Sequence, residues 1–519
     1  MPVQNPGVSS LFALHNLHKT ERQLGVSIER LSSGKRINHA GDDAAGGAIA
    51  DRMTSQIKGL NMSVRNASDV LSMAQVAEGA LDESSKVLQR IRELAIQSAS
   101  DLMNGEERLY LQTEANQLIA ELDRVARDTT FNEIAVLDGT FADRRFQIGA
   151  KEREAATISV GNLRTTAIGN HIVRTSAATT ATVSATAVSL GSAATFADED
   201  FTIHGLLGSK TIDVVAATSA RDIAEAVNIQ FDQTGVTATA STNMKIQAKG
   251  TAGSATLSIG LKGKNTTVRT VSAGITLATA VTGSDLTGLS NSINAYSAET
   301  GIVSVLSADK TTIYLTQDEG YDIALTDLDY ADTTDDSRDL QVTGMDARIF
   351  DANGDELLSG TAKTMTDTSH SSGAGKDAIV GGQIMMHSSH SFTATTTNNN
   401  GDLFQSSPGA ATLNKVSELS LRTRSKSIDA LKVVDKALDK VHMERAKLGA
   451  VMSRMHQAID NLTNVSSNTA SARSRIVDAD MAAESAELAK AQVLQQSAMA
   501  MISQASRAQQ SILTLLQGM

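Results

Sequence analysis

Ten histidines and no cysteine bound the metal and nucleophile chemistry open to this chain of 519 residues. Without thiols there are no disulfides, thiolate metal sites or cysteine nucleophiles. A zinc hydrolase helix needs His-Glu-x-x-His, and no histidine here is followed directly by glutamate. His387 and His390, with His370 nearby, are close enough in sequence to gather a metal, but they sit in a Ser/Thr-rich stretch and read as surface residues. Gly205-Leu-Leu-Gly208-Ser209-Lys210-Thr211 has the residues of a phosphate loop without its spacing, which requires four residues between the glycines. Asp351-Ala-Asn-Gly-Asp355-Glu356 has calcium-loop residues, yet Asn353-Gly354 between strand-like residues favours a hairpin. Asp327, Asp329, Asp332, Asp335, Asp336 and Asp339 bind divalent ions loosely or keep a surface soluble. No catalytic, cofactor or metal site is expected, and the chain reads as a non-enzyme.

The elements that would position any such site are long helices at the two ends of the chain. Leu14, Leu17, Glu21, Leu24, Ile28 and Leu31 step by alternating threes and fours. So do Leu488, Ala491, Gln495, Ala498, Ile502, Ala505, Gln509, Ile512 and Leu516. This is coiled-coil spacing. Each stripe is too narrow and alanine-rich to form a core alone, so the termini are expected to pair with each other and with copies of themselves. After a Ser/Gly/Asp-rich connector, in which Asp42 or Asp43 is the candidate N-cap, the pattern resumes from Ala44 with Ile57, Leu60, Val64, Ala67, Leu71, Ala74, Glu78, Leu81, Ser85 and Leu88. No proline interrupts it before Asn104, which predicts one helix of roughly 55 residues, about 80 Å long. A second helix follows Asn104-Gly105. The far end supplies the partner rod with Leu431, Val434, Leu438, Val441, Arg445, Leu448, Met452, Met455, Ile459 and Leu462.

Between the helical flanks, Phe131 to Val160 reads as short strands and turns, with Leu137-Asp138-Gly139 a turn and Phe146, Ile148, Ile158 and Val160 strand residues. From about Thr175 to Pro408 the composition turns to Thr, Ser, Ala, Gly and Val with period-2 runs, which predicts a separate β-rich insertion. Inside it Asp222-Ile-Ala-Glu-Ala-Val-Asn228 leads to Gly235-Val236, and Leu289-Ser-Asn-Ser-Ile-Asn294 leads to Gly301-Ile302, an offset of 66 residues that predicts a duplicated helix-plus-hairpin unit. The expected fold is mainly α, with coiled-coil-like rod helices from both ends, a small β-hairpin element and a β-rich α+β central insertion. The subunit should be elongated and multidomain. Its expected divisions are 1–44, 45–174, 175–408 (expected to form two subdomains), 409–474 and 475–519.

Composition excludes other classes. Aromatics are 3% and tryptophan is absent, which disfavours large cores with aromatic anchors. Of the net charge of −12, the segment Asp318–Glu356 carries thirteen acids and two bases, so the rest of the chain is nearly neutral and lacks the basic face of a nucleic-acid binder. No stretch approaches the ~20 apolar residues of a membrane span. The first residues lack a signal-peptide pattern, so export would use a route without a cleaved signal.

Both ends carry strings that resemble bacterial flagellins: Ser9-Ser10-Leu11-Phe12-Ala13, Ile28-Glu29-Arg30-Leu31-Ser32-Ser33-Gly34-Lys35-Arg36-Ile37-Asn38, Asp42-Asp43-Ala44-Ala45-Gly46, Ser471-Ala-Arg-Ser-Arg-Ile476, Asp478-Ala-Asp480 and Lys490-Ala491-Gln492-Val493-Leu494-Gln495-Gln496. The resemblance covers about 1–165 and 410–519. It implies a secreted, extracellular filament subunit, exported unfolded through the flagellar export machinery with an export chaperone, and meeting cap and junction proteins at the filament. It assigns an inner-tube seam to Leu14, Leu17, Leu24, Ile28, Leu31, Leu488, Ala491, Ala498, Ile502, Ala505, Ile512 and Leu516. The outer rod seam falls to Ile57, Leu60, Val64, Leu71, Leu88, Leu438, Leu448, Met452, Ile459 and Leu462. Leu88-Gln89-Arg90-Ile91-Arg92-Glu93-Leu94-Ala95-Ile96 further resembles the surface that flagellins present to an innate-immune Toll-like receptor, which carries over Gln89, Arg90, Glu93, Leu94 and Glu114. The plain alternative for those residues is a solvated helix face with Leu94 packed between subunits. Some flagellins hold a zinc protease in the insertion, and this chain lacks its motif. It also departs from the family where Glu133 follows Phe131-Asn132 in place of a glycine, and where Gln509-Gln510 replaces proline. Serines and threonines of the insertion are candidate glycosylation sites. Two other readings stay open: a hook–filament junction protein, and an adhesin displayed on a flagellin scaffold.

Overall fold

The structure is a computed structural model that describes residues 8–175, 182–184, 200–215, 218–249, 252–278, 283–330, 339–350, 356–358, 363–366, 377–396 and 409–517. The hairpin or calcium loop at Asp351–Asp355, the aspartates 332, 335 and 336, and His370 lie outside the described residues. In chain order the helices are α1 (Val8–Ser33), α2 (Ala44–Ser98), α3 (Gly105–Asp128), α4 (Ala220–Ile229), α5 (Phe231–Thr234), α6 (Thr287–Ala295), α7 (Ser297–Thr300), α8 (Arg424–Val477) and α9 (Met481–Gln517). Helical terminal regions flank a β-rich central insertion, and α2 has the 55 residues expected of it. The chain divides into two compact units, one of Met1–Val76, Ala142–Ser159 and Lys447–Met519, the other of Ala77–Phe141 and Val160–Ala446.

Helix starts follow the capping residues. Asp43 Oδ1 accepts the Gly46 N–H at 2.8 Å at the start of α2, and Asp480 Oδ1 accepts from Ala482 at 2.9 Å at the start of α9. Asn104 and Glu107 form a reciprocal capping box on α3. Asp42 turns the connector instead, accepting the N–H groups of Asn38 and His39 at 2.9 Å each, and these bonds hold its carboxyl below the usual range.

In the first unit α1 and α9 lie antiparallel, joined where their connectors meet. Arg36 N–H donates to Val477 O at 2.6 Å, Ala479 N–H to Gly34 O at 3.0 Å, and the Arg36 guanidinium to Ile476 O at 2.7 Å. A two-stranded hairpin, Arg144–Gln147 with Ala155–Ile158, belongs to this unit, and Asn66 of α2 donates to Gln147 O at 2.9 Å. Val160, expected as a strand residue, follows that hairpin in the second unit and bonds Phe141 O.

In the second unit a two-residue turn joins Thr130–Phe131 to Ile134–Ala135, with φ of 49° at Asn132 and 64° at Glu133. Both central residues are left-handed, as a type I′ turn requires, so Glu133 stands in a conformation that glycine adopts without cost. The insertion is built of antiparallel sheets. One runs in the order Arg269–Leu277, Gly253–Lys262, Ile323–Tyr330, Asp377–Val380, Thr182–Ser184. Another runs Val303–Leu306, Thr312–Gln317, Thr237–Lys249, Gln383–Ser388, Gly169–Arg174, Thr412–Lys415. Leu257, Ile259, Leu289 and Ile293 centre one core and Phe201, Ile203, Ile223 and Val227 the other.

The duplication is visible atom by atom. Asn228 bonds both backbone groups of Ala238, at 2.8 and 2.9 Å, and Asn294 does the same to Ser304, at 2.7 and 2.8 Å. Thr234 and Thr300 each return a hydroxyl bond to the carbonyl four residues back, at 3.0 Å in both copies. Gly235 and Gly301 then end their helices at φ of 72° and 70°. Gly205 to Gly208 is the turn of the hairpin preceding the first copy, closed by Gly205 N–H to Gly208 O at 2.9 Å, and is not a phosphate cradle.

Candidate assembly surfaces

The α1/α9 pair buries one stripe and leaves another bare. On α9 the residues turned inward are Glu484, Leu488, Ala491, Gln495, Ala498 and Ile502, all half-buried except Ala491, which is buried. Ala505, Ile512 and Leu516 lie on α9, but their side chains lie outside the described residues. On α1 the inward stripe is Ala13, Leu17, Thr20, Leu24, Ser27 and Leu31. It shares Leu17, Leu24 and Leu31 with the sequence stripe and replaces the other positions by their neighbours one residue earlier. Leu14 and Ile28, expected in the seam, are instead exposed, at 40% and 51%. The reason is size: Ala13, Thr20 and Ser27 allow close helix approach, and Thr20 satisfies its hydroxyl on Asn16 O at 2.9 Å. The larger apolar side chains are displaced outward, where Leu11, Phe12, Val26 and, on α9, Val493, Leu494, Met499 and Met501 are also exposed.

The rods show the same one-residue displacement. On α2 the buried positions include Leu60, Ser63, Ala67, Val70, Met73, Ala74, Ala77, Leu81, Ser84, Ser85, Leu88, Ile91, Ala95 and Ser98, so Ser85 is buried together with its neighbour Ser84. Ser63 and Ser84 bond their own i−4 carbonyls at 3.0 and 2.8 Å and so pack as small apolar residues. On α8 they include Ser427, Ala430, Val433, Val434, Ala437, Val441, Glu444, Leu448, Met455 and Ser466. Leu60, Leu88 and Leu448 of the expected rod seam are buried, whereas Ile57, Val64, Leu71, Leu438, Met452, Ile459 and Leu462 are half-buried along its edge. Glu444 was legible only as polar, yet it is buried and accepts the Gly161 N–H at 3.2 Å.

The receptor-like surface divides. Gln89, Arg90, Glu93 and Glu114 are exposed. Arg90 bonds Glu114 through Nε at 3.0 Å and Nη2 at 2.8 Å, and Glu93 through Nη1 at 2.9 Å. Leu94, carried over with them, is only 1% exposed and belongs to the core. The end of α2 has neighbours on two sides, α3 through Arg90–Glu114 and α8 through Arg92–Asp435 at 2.6 Å and Ser98–Ser427 at 3.0 Å. Its buried face therefore widens to include Val87 and Leu94.

His387 is a further correction, being 4% exposed where a surface residue was expected. It follows the apolar run Ile384-Met-Met386 on a fully buried strand, a signal the surrounding Ser/Thr content obscured. Its Nε2 lies 3.0 Å from Thr239 Oγ1. Burial, then Lys432, Lys436 and Arg174, pushes its pKa down to about 3. Burial also lowers His171, to about 4. Asp322 moves the other way, to about 6, through burial. Among the described residues no group of three or more His, Cys, Asp or Glu side chains is placed to hold a metal, and no helix is long and apolar enough to cross a membrane.

Comparison with known families and proteins finds relatives along the length of the chain. The family described as bacterial flagellin N-terminal helical region matches residues 5–142, the bacterial flagellin C-terminal helical region 431–516, and the flagellin hook IN motif 200–252. The last spans the first copy of the duplicated unit. B-type flagellin of Pseudomonas aeruginosa is 35% identical over 513 residues, covering 99% of this chain and 99% of its own. A flagellin of Salmonella typhimurium is 32% identical over 539 residues, again covering 99% of each. Among solved structures, FliC from Burkholderia pseudomallei aligns with 74% of this chain and 99% of its own at 15% identity and a TM-score of 0.28. The flagellar junction protein FlgL from Legionella pneumophila aligns with 82% and 100% at 12% identity and a TM-score of 0.30.

Proposed function

The chain belongs to the bacterial flagellins and is a structural subunit of the flagellar filament, and on that premise we propose that the displaced apolar residues of α1 and α9 are the surfaces neighbouring subunits cover. The observation that carries this is the exposure of Leu11, Phe12, Leu14, Ile28, Val493 and Met501 on a helix pair whose own seam mixes leucines and an isoleucine with small and polar residues. So much bare apolar surface is favourable only when another chain buries it, at roughly 25 cal/mol per Å². Folding of the ends and addition to the filament are therefore coupled.

In this reading 1–44 and 475–519 form the inner tube, 45–174 and 409–474 the rod around it, and 175–408 the outward insertion. The subunit leaves the cell unfolded with an export chaperone, meets the cap and junction proteins, and assembles outside. Gln89, Arg90, Glu93 and Glu114 form the face available to a host Toll-like receptor in the free monomer; Leu94 acts there only by supporting the helix. The insertion sets the outer surface and any sugars.

Electron microscopy of the purified chain, seeded with short filament fragments or induced with ammonium sulfate, tests the assembly reading. Long tubes of uniform width are expected. Persistent monomers or closed rings under both conditions would overturn it in favour of a junction protein of fixed copy number.

A further inference from the structure

With no cysteine in the chain, methionine is the oxidisable sulfur, and the structure sorts the methionines by place. Met244, Met365, Met386 and Met455 are buried. Among the described residues the exposed ones are Met62, Met481, Met499 and Met501, at 50%, 50%, 50% and 67%, and all of them fall in the unit built from the chain ends. Met499 and Met501 bracket the inward Ala498 and Ile502 of α9. At 100° per residue Met481 and Met499 share one line along the helix, while Met501 shares another with exposed Leu494. Both flanks of the α1-facing stripe thus carry a bare thioether.

We propose that Met499 and Met501 form an oxidation site through which a hydroperoxide halts addition of free subunits, while subunits already in a filament are shielded. This rests on the reading of α9 as an assembly surface. With a hydroperoxide, the sulfur gives an electron pair to one peroxide oxygen; the S–O bond forms as the O–O bond breaks, and the departing oxygen takes the proton and leaves as water or an alcohol. The thioether is oxidised by two electrons to a sulfoxide and the peroxide is reduced. The product is polar and chiral where an apolar side chain stood, so a surface that must be desolvated on docking no longer can be without loss. Sulfur at these positions is otherwise replaceable, since leucine has similar volume and apolarity.

The test treats monomer and filament separately with hydrogen peroxide, removes the oxidant, and measures sulfoxide at each methionine by peptide mass spectrometry together with seeded growth. In the monomer Met499 and Met501 should oxidise before Met244 and Met455, and seeded growth should be lost in parallel. In the filament both should be protected. A methionine sulfoxide reductase should restore growth, and the Met499→Leu, Met501→Leu double variant should keep after peroxide the growth rate it shows untreated, whatever that rate is, where the original chain loses its own. Equal growth by oxidised and untreated monomer, or a double variant as sensitive as the original chain, overturns the proposal alone. Untreated chain that never extends seeds overturns the assembly reading beneath it.

Discussion

The Nδ2 of Asn170 lies 2.9 Å from the Nδ1 of His387, and both residues are buried. With the amide as oriented, Nδ2 donates and Nδ1 must accept, which makes the imidazole neutral with its proton on Nε2 toward Thr239. A second proton would set donor against donor, with Lys432 and Lys436 of α8 and Arg174 of the neighbouring strand all of the same sign. Lys432 is itself held below its usual range by burial.

That geometry predicts acid sensitivity. His387 and His171 have folded pKa values of about 3 and about 4, below the unfolded value of 6.5. The native state therefore binds fewer protons, and the contribution is full above that unfolded value and lost as pH falls through the folded ones. Thermal melts of the wild type and His387→Gln at neutral pH and near pH 4 should show the variant losing less on acidification, by ~1–3 kcal/mol. Identical pH dependence in the two proteins would refute the role given to His387.

Asp322 has the opposite sign. Burial and the charge of Asp222 raise it to about 6, so the native state binds more protons and the contribution, present below the ordinary carboxylate value of 3.8, is lost as pH rises through the folded value. Asp322→Asn should stabilise the chain above neutrality by ~1–3 kcal/mol and leave it unchanged near pH 4. Denaturant titrations at the two pH values read this directly.

Glu133→Gly should raise stability by ~0.5–1 kcal/mol, because the left-handed turn costs a side-chain-bearing residue about 1–2 kcal/mol while glycine loses somewhat more backbone entropy on folding. A lower denaturation midpoint would show that the glutamate makes a compensating contact.

The twin clamps of Asn228 and Asn294 predict matched losses. Alanine at either position leaves a strand N–H and C=O without their side-chain partner, at a cost of about 1–3 kcal/mol each. A loss confined to one copy would mean the duplication is of shape rather than of energetics.

The starts of α2 and α3 were legible because Asp42 or Asp43 and Asn104-Gly105 are local signals, of which Asp43 and Asn104 proved to be the caps, and the 66-residue repeat because it preserves the asparagine and glycine that the hydrogen bonds require. The seams were half legible. Leu17, Leu60, Leu88 and Leu448 sit inward as their spacing says, but an apolar count cannot choose between Leu14 and Ala13, or between Val64 and Ser63. Close helix approach chose the smaller one, and Thr20 or Ser63 conceals its hydroxyl on a backbone carbonyl only once the helix exists. Leu94 was misread for a related reason, since burial by a second neighbouring element leaves no trace in local spacing, whereas His387 was misread because its Ser/Thr-rich surroundings hid the apolar run before it.

The central claim is that large apolar residues turned away from the α1/α9 seam are the assembly surface. The direct measurement is seeded filament growth by the Leu14→Asp, Ile28→Asp variant, with circular dichroism and a thermal melt on the same sample. Loss of growth with helicity and melting unchanged is predicted, because both positions are already solvated in the single chain. Filaments of normal length from that variant would contradict the account.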